Sequence, residues 1–140
     1  MISHNLSYTE SLLTLSEELL DYAVVAEKDS ITLGSGAVQA SALISRQALE
    51  ELVNFLWDRT QSSEMKNTTM RTQLLCLKEV IGDYQAQKSR STWIQLSSEI
   101  HKKTFQGKLS RTEVSACNET IRELASTIQN LLTDEIVDRE

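Results

Sequence analysis

The chain has 140 residues, of which 40% are apolar and 24% are charged, and it contains four glycines and no proline. This length is typical of one domain. The scarcity of Gly and Pro argues against a sandwich or barrel, whose many tight turns depend on those residues. The formal net charge of −6 argues against a generally basic nucleic-acid coat or a membrane-surface binder. We expect one helical domain over residues 1–140, with an ordered core at about 7–132.

The sequence carries no pattern typical of a membrane span or a metal site. No apolar run approaches the roughly 18 residues that a membrane helix needs, and the first six residues lack the basic start and apolar core of a secretory signal. Cys76 and Cys117 lie far apart, and no cluster of Cys and His is present. We expect both cysteines to be reduced, and the protein to be cytoplasmic, without a cofactor, a metal ion or membrane contact.

The first helix is predicted to begin at Ser7, which has the capping-box spacing to Glu10, and to end near Asp29. Steps of three and four along the sequence define an amphipathic apolar row, which we expect to face the core. The row consists of Leu12, Leu15, Leu19, Tyr22 and Ala26.

The sequence GSG at residues 34–36 is expected to break the chain and to precede a second helix over residues 37–59. A glycine-containing helix N-terminus can bind an anion, and an ordinary connection between helices is the alternative. Arg46 and Glu50 are expected to form an i,i+4 pair on the exposed face of this helix.

Residues 60–68 are polar and without an apolar pattern, so we expect the main loop there. A third helix is predicted over residues 70–84, weakened near its end by Gly82. A fourth helix is predicted over residues 85–105, and Gly107 is a typical residue just past a helix C-terminus.

The fifth helix has the clearest start in the chain, because Ser110 and Glu113 form a second capping box and Leu109 can pack on Val114. Its apolar row has heptad-like spacing, which fits either a buried bundle helix or a seam between two chains. The row consists of Val114, Cys117, Ile121, Leu124, Ile128 and Leu131. Together the segments predict an all-α antiparallel bundle of four to five helices, and the long row predicts a homodimer.

The charges are unevenly distributed along the chain. Residues 85–111, the basic segment, carry six basic residues against Glu99 alone, a net charge of +5 that leaves −11 in the rest. This segment is a candidate site for phosphate, RNA or an acidic partner protein, and the alternative is a solvated face that pairs with acidic neighbours. The candidate binding residues are Lys88, Arg90, Lys102, Lys103, Lys108 and Arg111.

His101 is the candidate general acid or base, because His4 is the one other histidine and lies at the N-terminus. The lysines that follow His101 favour its neutral imidazole by charge repulsion. The alternative interpretation is an ordinary polar residue at the surface of a helix.

Two segments resemble the HEPN-like superfamily of small bacterial helical domains: SRQALEELV at residues 45–53 and WIQLSSEIH at residues 93–101. The resemblance implies an antiparallel bundle that often dimerises and belongs to bacterial conflict systems. Many such domains are metal-independent ribonucleases with an Arg, four to six residues and then a His, in which the His activates the ribose hydroxyl and the Arg stabilises the phosphate.

His101 matches the His of that pattern, but no Arg stands at the required spacing, and Arg90 lies eleven residues upstream. This departure predicts a non-catalytic interaction or regulatory module of a kind found in bacterial defence or toxin–antitoxin systems. The alternative is a divergent metal-independent ribonuclease that combines His101 with Arg90, Lys102 or Arg111 across a dimer.

Overall fold

The computed structural model describes the backbone of residues 2–101 and 109–138 and the side chains of residues 6–98 and 109–134. Every regular element in these ranges is helical, in agreement with the predicted all-α class. The elements are α1 (Ile2–Asp29), α2 (Ile31–Asp58), a 3-10 helix (Ser63–Asn67), α3 (Met70–Cys76), α4 (Lys78–Ile81), α5 (Asp83–His101) and α6 (Arg111–Asp138).

The start of α1 differs from the prediction. The helix begins at Ile2, so Ser7 is not an N-cap, and the Ser11 hydroxyl instead donates to the Ser7 carbonyl at 3.0 Å within the helix. Glu10 is used elsewhere, in an ion pair with Arg122 of α6. The predicted capping box was therefore wrong, because the helix begins five residues before Ser7.

The break between the first two helices lies at Ser30, not at residues 34–36 as predicted. Ser30 has an extended backbone (φ −160°, ψ 123°), and its hydroxyl accepts a hydrogen bond from the Leu33 amide at 3.2 Å. Such a cap satisfies one of the unpaired amides of the first helical turn. Gly34 and Gly36 therefore lie inside α2, where the mid-helix cost of about 1 kcal/mol per glycine does not stop the helix.

The segment predicted as one third helix forms two short ones. α3 and α4 meet at Leu77, which is fully buried. Gly82 has a φ of +87° and ends α4, which is a backbone conformation that favours glycine. Asp83 and Tyr84 then belong to α5, and the predicted loop at residues 60–68 contains the short 3-10 helix.

The predicted start of the last helix is confirmed. The Glu113 amide donates to the Ser110 hydroxyl at 3.1 Å, and the Ser110 amide donates back to Glu113 Oε1 at 3.0 Å. These are the two reciprocal hydrogen bonds of a capping box. α6 then continues to Asp138.

The four long helices α1, α2, α5 and α6 form a bundle with α2 at its centre, against which α1, α5 and α6 all pack. α1 and α2 form an antiparallel hairpin, and α6 runs antiparallel to α1, since Arg122 pairs with Glu10 and Glu17 while Arg111 approaches Glu27. The largest fully buried side chains are Phe55, Leu13, Leu49, Leu52, Leu56, Leu74, Leu77, Leu96, Ile121, Leu124 and Ile128.

Candidate functional site

The predicted basic site is only partly within the described residues. Lys88 and Arg90 lie on α5, and Arg111 is the first residue of α6. His101 is the last residue of α5, and its side chain lies outside the described residues, as do all atoms of Lys102, Lys103 and Lys108.

Lys88 and Arg111 both have acidic neighbours. Lys88 Nζ lies 2.7 Å from Glu123 Oε2 of α6 and 5.6 Å from the centre of the Tyr84 ring. The hydrogen bond to Glu123 raises the pKa of Lys88. Arg111 lies 4.0 Å from the Glu27 carboxylate of α1. Both contacts agree with the alternative interpretation of the basic segment as a face that pairs with acidic neighbours.

Arg90 lies on another side of the bundle. It is exposed and lines a shallow depression between α5 and the pair α3–α4, together with Lys78, Asp83, Gln87 and Ser91.

Within the described residues, the structure therefore does not bring the predicted phosphate-binding side chains together. Lys88 faces α6, Arg111 faces α1, and Arg90 faces α3 and α4.

The two segments that resemble HEPN-like domains contact each other. Trp93 Nε1 on α5 donates to Glu50 Oε2 on α2 at 2.9 Å. The predicted pair of Arg46 and Glu50 is confirmed at 3.1 Å, but it is half-buried instead of exposed, because the Arg46 guanidinium lies 5.5 Å from the Trp93 ring centre. This cluster joins α2 to α5 by a charge-assisted hydrogen bond and a cation–π contact.

A buried polar network joins α1, α2 and α6 in the middle of the bundle. The Ser16 hydroxyl lies 2.8 Å from that of Ser41 and 2.7 Å from that of Ser45. Asn118 Nδ2 donates to Ser16 Oγ at 3.1 Å, and Ser45 Oγ donates to Asn118 Oδ1. All four residues are fully buried, so their polar atoms need these partners.

This network was not predicted, although Asn118 gives a signal in the sequence. It lies one position after Cys117 in the apolar row of α6, at i+4 from Val114, and is the polar member of a buried face. Small serines in α1 and α2 let the two helices approach closely, since each hydroxyl of Ser16 and Ser41 also donates to the other residue's carbonyl.

The apolar row of α6 is buried inside the bundle. Val114, Ile121, Leu124 and Ile128 are fully buried, and Cys117 is 3% exposed. Burial and the nearby Glu113 carboxylate raise the pKa of the Cys117 thiol to about 11. The row was interpreted either as a buried bundle helix or as a seam between two chains. The described structure agrees with the first interpretation.

The hairpin of α1 and α2 carries a largely apolar surface that the core leaves partly uncovered, which we name the hairpin face. On α1 it is the row Tyr8, Leu12, Leu15, Leu19 and Tyr22, and on α2 the row Leu33, Gly36, Ala40, Leu43 and Gln47. Both rows follow steps of three and four, so each lies along one side of its helix. Their largest side chains are about half exposed, with values of 44% for Leu15 and 50% for Tyr22.

This finding corrects the expected core face of α1. Leu15 and Tyr22 were expected to face the core and are exposed, whereas Ala26 of the same predicted row is buried as expected. The other buried residues among the described side chains of the helix are Thr9, Leu13, Ser16, Leu20 and Ala23. The physical reason is the wide apolar sector of α1: two adjacent rows are apolar, and only one of them can point at α2 and α6.

The two rows of the hairpin face are neighbours in space. At one end Gln47 Nε2 donates to Tyr8 Oη at 3.4 Å. At the other end Leu19 and Tyr22 line an open, almost wholly apolar depression with Leu33 and Gly36. The face therefore extends along the hairpin for about 14 residues of α1, roughly 21 Å at the helical rise.

Two kinds of site are absent from the described residues. Among them, no group of three or more His, Cys, Asp and Glu side chains is placed to hold a metal ion. Within the same ranges, no helix combines the length and the apolar character that crossing a membrane requires.

Comparison with known proteins adds no further candidate site. The sequence matches no protein-family model and no curated protein, and the structure matches no solved structure.

Proposed function

We propose that this chain is a non-catalytic helical interaction module that binds another protein surface through the hairpin face. The observation that carries the proposal is the continuous apolar surface of α1 and α2 on a bundle whose core is already filled by other residues. Contiguous exposed apolar patches of several hundred Å² on a folded domain often mark sites of protein contact.

The resemblance of residues 45–53 and 93–101 to HEPN-like domains supports a role in bacterial defence or in a toxin–antitoxin pair, in the cytoplasm. In this chain those segments contact each other through Glu50 and Trp93, a contact that stabilises the bundle. The proposed module acts by association, and the basic segment is its second candidate surface, for RNA or an acidic partner.

The alternative function is that of a ribonuclease, and the positions of its two candidate residues on one helix motivate a test. His101 and Arg90 lie on the same helix, α5, but eleven residues apart, about 16 Å along the axis. An arginine so far along the same helix cannot contact a phosphate whose ribose hydroxyl is held at His101. Cleavage would therefore require a basic group from elsewhere.

The experiment is incubation of purified protein with single-stranded RNA in the presence of a metal chelator. We expect no cleavage by the natural chain, by His101→Ala or by the control His4→Ala. The proposed function would be contradicted if the natural chain and His4→Ala both cleave the RNA and His101→Ala does not. A second measurement at low salt checks RNA binding by the basic segment, with Lys88→Ala and Arg90→Ala as variants.

A further inference from the structure

We propose that the partner on the hairpin face is a second copy of this chain, related by a two-fold axis. In this dimer the α1 row of each copy packs into the α2 row of the other. The inference rests on the proposed function, since it names the partner of the same surface. It places the homodimer on α1 and α2, whereas the sequence had suggested α6 or the basic segment.

The two rows have complementary shapes. The α1 row is a ridge of large side chains, with Tyr8, Leu15 and Tyr22 standing out from the hairpin. The α2 row forms a groove in its middle, where the small residues Gly36 and Ala40 lie between Leu33 and Leu43. A two-fold axis brings the same patch of both copies together, so the ridge of each copy meets the groove of the other.

Two glycines of α2, Gly34 and Gly36, differ in their surroundings within the chain. A Cβ at Gly34 would lie 3.1 Å from the Glu27 Cα and 3.2 Å from the Ala23 carbonyl oxygen, so α1 itself requires that glycine. A Cβ at Gly36 would meet nothing within 4 Å. Gly36 thus opens space on the surface of a helix that it weakens, and a close approach by a partner helix accounts for it.

The exposed apolar area approaches what a stable dimer needs. Five side chains of the face are 44–50% exposed: Tyr8, Leu15, Tyr22, Leu33 and Leu43. Because a large side chain has an accessible surface on the order of 200 Å², they expose roughly 500 Å² per copy. Two copies would cover about 1,000 Å² from these residues alone, near the lower limit of about 1,200 Å² for a stable specific interface. The less exposed members of the rows add to it.

Charge also favours a second copy over a charged partner. The chain carries a net charge of −6, but none of the ten residues of the hairpin face is charged. Two acidic copies repel each other least where they meet through a neutral surface. A strongly basic or acidic partner would find no complementary charge within either row.

The experiment measures mass by light scattering and the dimer dissociation constant by analytical ultracentrifugation at tens of micromolar. We expect the natural chain to be a dimer. Leu15→Glu and Leu43→Glu should raise the dissociation constant by about 100-fold or more, because each change removes an apolar contact twice in a two-fold interface. The matched control is Ile94→Glu, a residue 47% exposed on α5, which should leave the dimer intact.

Gly36→Ala provides a variant whose effect on the dimer cannot be attributed to misfolding. Alanine favours the helix, so the fold is kept or strengthened, while the added methyl group fills the groove. We expect the dimer to weaken by about tenfold. Circular dichroism of every variant confirms that the helices are retained.

The inference would be overturned if the natural chain is a monomer, or if Leu15→Glu and Leu43→Glu leave the dimer unchanged. It would also be overturned if Ile94→Glu raises the dissociation constant as much as they do. A dimer that Gly36→Ala leaves unchanged or tightens would overturn the ridge-and-groove arrangement. These outcomes are separate from the RNA assay. A monomer that leaves RNA intact refutes the dimer alone, whereas a dimer that cleaves RNA through His101 refutes the proposed function.

Discussion

Ser45 of α2 donates a hydrogen bond to the side-chain oxygen of Asn118 of α6, and neither residue is exposed to solvent. Asn118 also donates to Ser16 of α1, so one amide holds three helices in register. In an apolar core such a polar group is costly unless its partners are correctly placed. The network therefore favours one alignment of α1, α2 and α6 over slipped alternatives.

Replacing Asn118 by Ala should destabilise the fold by about 2 kcal/mol, because the Ser45 donor loses its acceptor inside the core. Urea denaturation measures the change. The control is Asn130→Ala, the same substitution at an exposed position of the same helix, which should cost less than about 0.5 kcal/mol. Equal losses in the two variants would contradict the role of the network.

Gly34→Ala and Gly36→Ala should have opposite effects on the stability of the single chain. At Gly34 the added methyl group meets the α1 backbone, and such overpacking costs about 1–3 kcal/mol. At Gly36 it meets nothing, so the better helix propensity of alanine should add up to about 1 kcal/mol. Thermal denaturation in a Leu15→Glu background measures this without a contribution from association. Two changes of the same sign would contradict the prediction.

Arg122 should make the stability of the fold depend on pH. It donates to Glu17 at 2.8 Å through two nitrogens and to Glu10 at 2.9 Å. The hydrogen bond from Arg122 lowers the pKa of Glu17. A carboxyl whose folded-state pKa is lowered stabilises the fold at neutral pH, and this contribution is lost as the pH falls through that folded-state pKa.

Arg122→Gln should therefore cost about 1 kcal/mol near pH 7, a value typical of partly exposed ion pairs. The difference from the natural chain should shrink as the pH is lowered toward about 2. Denaturation at several pH values measures this, with Arg71→Gln on the exposed side of α3 as the control. A pH-independent difference would show that the arginine stabilises the fold by packing alone.

Cys117 should resist alkylation in the folded protein. Its pKa of about 11 leaves roughly 100-fold less reactive thiolate than an unburied thiol near pH 8, and burial blocks the reagent as well. A Cys76→Ser variant, which keeps Cys117 as its only thiol, should react with iodoacetamide in denaturant and not when folded. Rapid labelling of the folded variant would contradict the described burial.

Local signals predicted some elements of this fold and not others. The capping box of Ser110 and Glu113 was predicted correctly, because both partners lie within one helical turn and the helix begins directly after Ser110. The same pattern at Ser7 and Glu10 failed, since the helix already begins at Ile2, and Glu10 pairs with Arg122, distant in sequence. A capping pattern predicts a helix start only where the residues before it do not continue the helix.

The candidate site was predicted less well than the fold. The basic segment was visible as a run of charges, but its described members Lys88, Arg90 and Arg111 face three different neighbours. The α1 side of the hairpin face was visible as the apolar row of Leu12, Leu15, Leu19 and Tyr22 and was assigned to the core, whereas its α2 side was not predicted. Periodicity gives the direction of an apolar row on its own helix, and it does not tell which of two adjacent rows another helix will cover.

By itself the sequence determined that this protein is helical, because a chain with no proline and four glycines offers few places for turns and its apolar residues recur at helical spacing. The tertiary structure decided where α2 begins, which acids pair with the basic residues, and which apolar row of α1 stays at the surface. The physical reason is the relative size of the free energies of helix propensity and of side-chain packing. Helix propensities differ by about 1 kcal/mol or less for residues other than proline, whereas the packing of one large side chain contributes more than that.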